Sequence, residues 1–248
     1  SSRTQADSAG LREGARSTRS AGRARRGLVI AEVALAAVLL VGAGLLLRSF
    51  LALQSFDRGF NAHGLLVGQI VPDPTAYRER PRLAACYDRL QPRLAAIPGV
   101  AVASLSSILP FGGDSDFSFE IEGRALPSNQ SQQPVTWYRA ISADHLRAME
   151  IPIVRGRGLE ATDAAPSVVV NETFSRRYWP QGDALGQRLR PGPDAPWFTI
   201  VGVARDTYSR GPTERPVAEL FVSYTHIPER GMWMVLRPAV GPGVDESE

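Results

Sequence analysis

The sequence contains no lysine; all 28 of its basic residues are arginine. That excludes a P-loop, a Schiff-base lysine and a Ser-x-x-Lys nucleophile pair anywhere in the chain. The single cysteine, Cys86, can form no internal disulfide. Its place among Leu83, Leu90 and Leu94 reads as a small core residue rather than a reactive thiol. The three histidines, His63, His145 and His226, have neither a histidine four residues away nor a cysteine companion, so no zinc site is expected. Ser104, Ser106 and Ser107 lack the G-x-S-x-G setting of a nucleophile elbow. The acidic "DSD" at 114–116 could touch a divalent cation but reads more simply as a solvated turn. In the same way "GRGLEATD" reads as a turn rather than a phosphate cradle. Around "RRYWP", Phe174, Tyr178 and Trp179 are expected in the core, with Arg176 and Arg177 solvated. No catalytic residue, metal or cofactor is therefore expected.

What is present is unevenly spread. Before Leu28 the chain carries a net charge of +5; from Leu28 onward the balance is −2. The basic excess lies in one short Gly-, Ser- and Arg-rich arm, not on a folded surface, which argues against nucleic acid as a partner. The arm suits an anionic membrane surface instead. The chain does not open with Met, so a longer parent protein is expected.

Leu28 to Leu47 is a run of 20 residues, apolar or small except for Glu32. About 20 helical residues cross a bilayer core of about 30 Å. A signal peptide has a shorter apolar region and a small-residue cleavage site, whereas this run ends in "LLLRSF". The flank Arg19, Arg23, Arg25 and Arg26 places the N-terminal side in the cytoplasm by the positive-inside rule. Apolar spacing continues through Phe50, Leu53 and Phe56, so a helix over 28–56, about 43 Å long, is expected to stand above the bilayer as a stalk. Glu32 would lie about 6 Å inside the cytoplasmic edge. Two readings stand for it: snorkelling to the headgroups, or a coupling contact to a partner subunit.

Beyond Gly59 the pattern alternates. "GLLVGQIV", a helix with Leu83, Tyr87, Leu90 and Leu94 on one face, and "PGVAVASLSSIL" read as a βαβ unit. "FSFEIEG" reads as one period-two strand and "VTWYRAI" as another. "SADHLRAM" reads as a short helix capped by Ser142, and "SVVVN" as a buried strand. "ETFSRRYWP" is a helix stopped by Pro180. "WFTIVGVA" and "AELFVSY" are strands, and "MWMVLRP" an edge strand ending at Pro238. The class is α+β with one or two lobes.

Four stretches, "IPGVAVASLSSILPFGG", "RAISADHLRAMEIPIVRGRGLEATD", "SVVVNETFSRRYWPQGDALGQRLR" and "WFTIVGVARDT", resemble the periplasmic core domain of MacB-type ABC transporter permeases of the FtsX-like superfamily. "LVIAEVALAAVLLVGAGLLLRSFLALQSFDRGF" resembles the first membrane helix and stalk of the same proteins, most closely the duplicated permeases described from acidobacteria. The resemblance covers most of residues 11–225. One stretch departs from it: "HLRAMEI" stands where the family usually has an aromatic pair and a glycine before Ile-Pro, which puts the packing around His145, Leu146 and Glu150 in question.

The resemblance implies a fold of one transmembrane helix extended into a stalk, then a mixed α/β periplasmic core domain with βαβ units and a strand-rich lobe. The expected division is a cytoplasmic arm (1–27), membrane helix and stalk (28–56), extracytoplasmic core domain (57–240) and a tail (241–248) leading to at least three further apolar segments. It also implies an inner-membrane permease coupled to a separate ABC ATPase, with a second permease copy or repeat and a periplasmic adaptor as further partners. A single-pass anchored sensor or scaffold is the competing reading.

Overall fold

The apolar run is helical in the computed structural model, which describes residues 7–54, 56–113, 115–127, 129–163, 165–209 and 214–239. The first helix, α1 (Asp7–Gln54), starts well before the expected Leu28 and spans 48 residues, about 72 Å at 1.5 Å per residue. Its stretch Arg26–Leu51 is long and apolar enough to cross a membrane. Leucines and valines along that stretch are exposed rather than packed on protein, as a helix expects when lipid is its solvent. The chain divides into two compact units, 1–56 and 57–248.

The second unit is built on an 11-stranded sheet. In chain order its elements are β1 (Leu66–Ile70), α2 (Arg80–Ala95), β2 (Val100–Ser106), β3 (Asp116–Ser118), β4 (Glu120–Ile121) and β5 (Val135–Ile141). There follow α3 (His145–Ala148), β6 (Ile153–Gly156), β7 (Ser167–Asn171), α4 (Glu172–Tyr178), β8 (Arg188–Arg190), β9 (Phe198–Ala204), β10 (Glu219–Ser223) and β11 (Met232–Pro238). The sheet order is β1-β11-β2-β5-β10-β7-β9-β8-β4, with β3 also on β5 and β6 also on β9.

The expected βαβ unit is present but split. β1 and β2 are each antiparallel to β11, which lies between them. β11 is therefore an interior strand, not the edge strand that Pro238 suggested. The proline sits opposite Val100, just past a register shift, where its missing N–H falls at the end of the ladder and costs nothing inside it. "FSFEIEG" is likewise not one strand. It breaks at Phe119, with β3 pairing β5 and β4 pairing β8, although Phe119 and Ile121 are both buried as the alternation requires. β6 and β8, short and half-exposed, carry too little periodicity to be seen in sequence.

The sheet has two covered faces. Alternate residues Tyr138 and Ala140 on β5, and Leu220 and Val222 on β10, belong to the larger core, which includes Tyr87 and Leu94 of α2 and Phe174, Tyr178 and Trp179 around α4. Those three aromatics are core, as expected. Asn171 caps α4, accepting from the Phe174 N–H at 2.8 Å. On the opposite face Ile141, Val169, Phe221 and Val235 pack against Leu146, Met149 and Ile151, around α3. Ser142 does not cap α3. The N-cap is Asp144, and the Ser142 hydroxyl instead accepts the Leu105 N–H at 2.9 Å. That bond reinforces the junction of β2 and β5, whose ladder shares one residue pair, Ser106 with Ile141.

Between these layers lies a polar seam. Arg139 and Glu219, on adjacent parallel strands, form an ion pair with side chains only 6% and 2% exposed. Arg139 also donates to the Ile108 carbonyl at 3.3 Å, and the Thr207 hydroxyl donates to Glu219 at 3.5 Å. His145 is fully buried, with Nδ1 3.2 Å from the Ser104 hydroxyl. Burial, helped by the nearby Arg139 charge, pushes its pKa down to about 3. Below its unfolded value of about 6.5 the unfolded chain takes up a proton that the native chain refuses. Stability therefore falls as pH drops from about 6.5 toward 3, by about 1.4 kcal/mol per pH unit from this group. His145→Phe should abolish that slope, since an aromatic residue fits the family's usual choice here. Denaturant titrations at pH 7 and pH 5 check it; an unchanged difference between the two pH values would refute the assignment.

Candidate functional site

Residues 57–61, the first of the second unit, are fastened within it over five consecutive positions. Asp57 pairs with Arg205 at 2.8 Å, and the Arg58 carbonyl accepts the Tyr208 N–H at 3.0 Å. Gly59 is buried with φ +77°, and a Cβ there would collide with the carbonyl oxygen of Asp206. Phe60 packs on Phe111, with ring centroids 6.3 Å apart, and joins the α3-side core. Asn61 donates its backbone N–H to the Met149 carbonyl at 2.9 Å.

At Asn61 three elements meet. Arg237, near the end of β11, donates to the Ala148 carbonyl at 2.7 Å and to the Asn61 carbonyl at 2.6 Å. Its third contact is Glu150, at 3.1 Å. Glu150 in turn accepts from the Asn61 amide at 2.8 Å. Arg237 thus closes the C-terminal end of α3, where carbonyls lack helical partners and a cation is favoured, and holds the incoming chain with the same guanidinium.

Glu150 explains the family departure noted above. Its φ is +53°, the left-handed region that glycine occupies without strain. It ends α3 in a Schellman motif: Ile151 N–H bonds the Leu146 carbonyl at 2.8 Å and Glu150 N–H the Arg147 carbonyl at 3.1 Å. A glycine is the ordinary residue at that position; here the glutamate trades conformational ease for contacts to Asn61 and Arg237. Glu150→Gly should leave stability within about 1 kcal/mol, relief of the left-handed cost offsetting the lost contacts, while amide exchange at Asn61 accelerates. Hydrogen exchange by mass spectrometry checks this, and unaltered protection at Asn61 would contradict it.

The residues singled out in sequence lie apart from this clamp. Glu32, Arg26 and Phe50 are exposed on α1. Arg19, Arg23 and Arg25 are helical in backbone, and their side chains, with that of Leu53, lie outside the described residues, as does Asp114. Phe56 follows the helix and is half-buried. Cys86 is half-buried on α2 rather than deep in the core. Among the described residues no group of three or more His, Cys, Asp and Glu could hold a metal ion. "GRGLEATD" closes as a turn around Asp163, which accepts from Arg157, the Glu160 N–H and the Ser167 hydroxyl. Those contacts outweigh the burial that would raise its pKa, so the Asp163 carboxyl is held below its usual range.

The profile of the MacB-like periplasmic core domain matches residues 27–243. The chain belongs to that family. The match bears out the resemblance drawn from the four motifs. Three solved structures of permease-related domains are similar to this MacB-like chain. A domain of a putative permease protein from Porphyromonas gingivalis is 23% identical, with 59% of this chain and 60% of that one covered and a TM-score of 0.42. The extracellular domain of the noncanonic ABC-type transporter YknZ from Gram-positive bacteria is 10% identical over 62% and 73%, TM-score 0.43. The periplasmic region of MacB from Actinobacillus actinomycetemcomitans is 13% identical over 74% and 78%, TM-score 0.48. The chain spans about 60% of the first of these. A comparison with curated proteins finds no match.

Proposed function

We propose that this chain is the first membrane helix and extracytoplasmic domain of an ABC transporter permease, passing ATP-driven movement from a separate cytoplasmic ATPase to the outer domain. The observation that supports it most is the clamp: residues 57–61, where the second unit begins, are tied to β9's following loop, α3 and β11 at once. A flexible tether would suffice for an anchor; a transmitting joint needs backbone bonds, a buried glycine and an ion pair in series. In this reading residues 1–27 lie in the cytoplasm, 28–56 form the membrane helix and stalk, and 57–240 face the periplasm. Glu32 is then placed to contact a partner near the motor end. A second permease copy or repeat and a periplasmic adaptor are the further partners.

The test uses the parent permease assembled with its ATPase, spin-labelled at Phe50 on α1 and at Arg93, exposed on α2. ATP binding should shift the distance distribution between the labels, and Arg237→Ala should shrink that shift while ATP hydrolysis persists. Identical distributions with and without nucleotide would favour the anchored sensor or scaffold instead.

A further inference from the structure

The larger face of the sheet is not fully closed. Between the start of α2, β3, the loop from β8 to β9 and the turn after β10 lies a cleft of about 460 Å³. Two edge-to-face aromatic pairs wall it: Phe117 with Tyr138, centroids 5.1 Å apart, and Phe198 with His226, 5.8 Å apart. Pro191 and Ile227 complete its apolar surface, and a separate small apolar cavity at Val168 and Leu220 shares Phe117, Pro191, Phe198 and Ile227 with it. We propose that this cleft binds a drug-sized, uncharged or zwitterionic molecule with a planar apolar body.

The volume lies in the range of small-molecule sites, which are mostly apolar with a few placed polar groups. The aromatic surface that Phe117, Tyr138, Phe198 and His226 present to the cleft favours a flat ring system packed against it. The polar groups set the charge class. The Tyr138 hydroxyl donates to Glu229 at 2.8 Å and is thereby occupied. The ring nitrogens of His226 hydrogen-bond to nothing among the described residues, and burial lowers its pKa against the opposing pull of the Asp163 charge, so the wall offers a polar group that disfavours carrying a positive charge. Arg80 and Asp116, both exposed and without an ion pair among the described residues, bring one charge of each sign to the mouth. A net charge on the ligand would gain at one and lose at the other. The floor offers no counter-ion, so a charged body would lose hydration without compensation.

The test is photolabelling of the full chain in phosphatidylcholine nanodiscs with a neutral diazirine-bearing naphthalene and, separately, its sulfonated analogue, followed by mass mapping of peptides. The neutral probe should label peptides carrying Phe117, Pro196 and Ile227 in addition to the lipid-facing α1. Ala195→Trp, which fills the mouth, should cut cleft labelling by about tenfold and leave α1 labelling unchanged. Pro196→Arg, at an exposed position, gives the same readout without adding bulk to the interior. The sulfonated probe should label the cleft about tenfold less than the neutral one. Labelling confined to α1, cleft labelling insensitive to both substitutions, or equal labelling by both probes would each overturn the proposal.

Discussion

Glu219→Ala should destabilise the second unit by about 3–5 kcal/mol, the cost of stranding a buried guanidinium. Arg139 is enclosed between the α3-side core and the sheet, and its remaining partner, the Ile108 carbonyl, is neutral. A domain of this size is stable by about 5–15 kcal/mol, so the loss is a large share of the whole. Removing both charges is a different experiment. Arg139→Met with Glu219→Leu exchanges the pair for apolar volume, and such exchanges are often neutral or stabilising. Thr207 bounds the recovery, since its hydroxyl loses the Glu219 carboxylate, whereas Asn171 keeps the Glu219 backbone N–H. The double variant should therefore regain most of what the single one loses. Denaturant unfolding followed by tryptophan fluorescence separates the outcomes. Equal losses in both variants would mean that side-chain packing, rather than charge compensation, is what the pair supplies.

Gly59→Ala should cost at least about 2 kcal/mol: about 1–2 for a left-handed non-glycine residue, plus displacement of the Asp206 carbonyl that faces the missing Cβ. That carbonyl belongs to a segment that cannot yield freely. The Asp206 carboxylate accepts from the Thr173 N–H and hydroxyl and from Arg176, at 2.7, 2.8 and 2.6 Å, tying it to α4. The strain should therefore be relieved on the Asp57–Asn61 side, where the amides of Asn61 and Tyr208 lose protection first. Hydrogen exchange resolved to those two amides, alongside a thermal unfolding curve, measures both effects. A loss below about 0.5 kcal/mol with protection intact would show the joint to be pliable and would weaken the case for transmission through it.

Much of the architecture could be read from periodicity, because β5, β7, β9 and β10 are runs of apolar residues whose burial leaves little choice of state. The place of β11 could not: "MWMVLRP" looks the same as an edge or an interior strand, and only pairing to two distant strands decides. The ion pair was hidden for a different reason. Arg139 is one of 28 basic residues of a single type, and nothing local distinguishes a buried arginine from a solvated one; its partner lies 80 positions away. Glu150 was half-visible. Its presence where the family usually has glycine pointed to the right position, but the left-handed backbone and the bonds to Asn61 and Arg237 emerge only when three segments are brought together. Asn61 itself carries no pattern at all.

The chain enters and leaves the sheet at one end: Leu66, the first residue of β1, lies opposite Leu236 near the end of β11. A pull that separated the two ends would load that ladder by peeling, one hydrogen bond at a time, rather than by shearing all five residue pairs together. Peeling begins at the grip of Arg237 on Asn61, so that single guanidinium acts as the rivet at the mouth of the seam. A push or swing applied to both ends in common spares it and carries the body along whole. The fold is thus stiff to shared motion and weak to divergence of its two ends, and Arg237 marks where that weakness would first open.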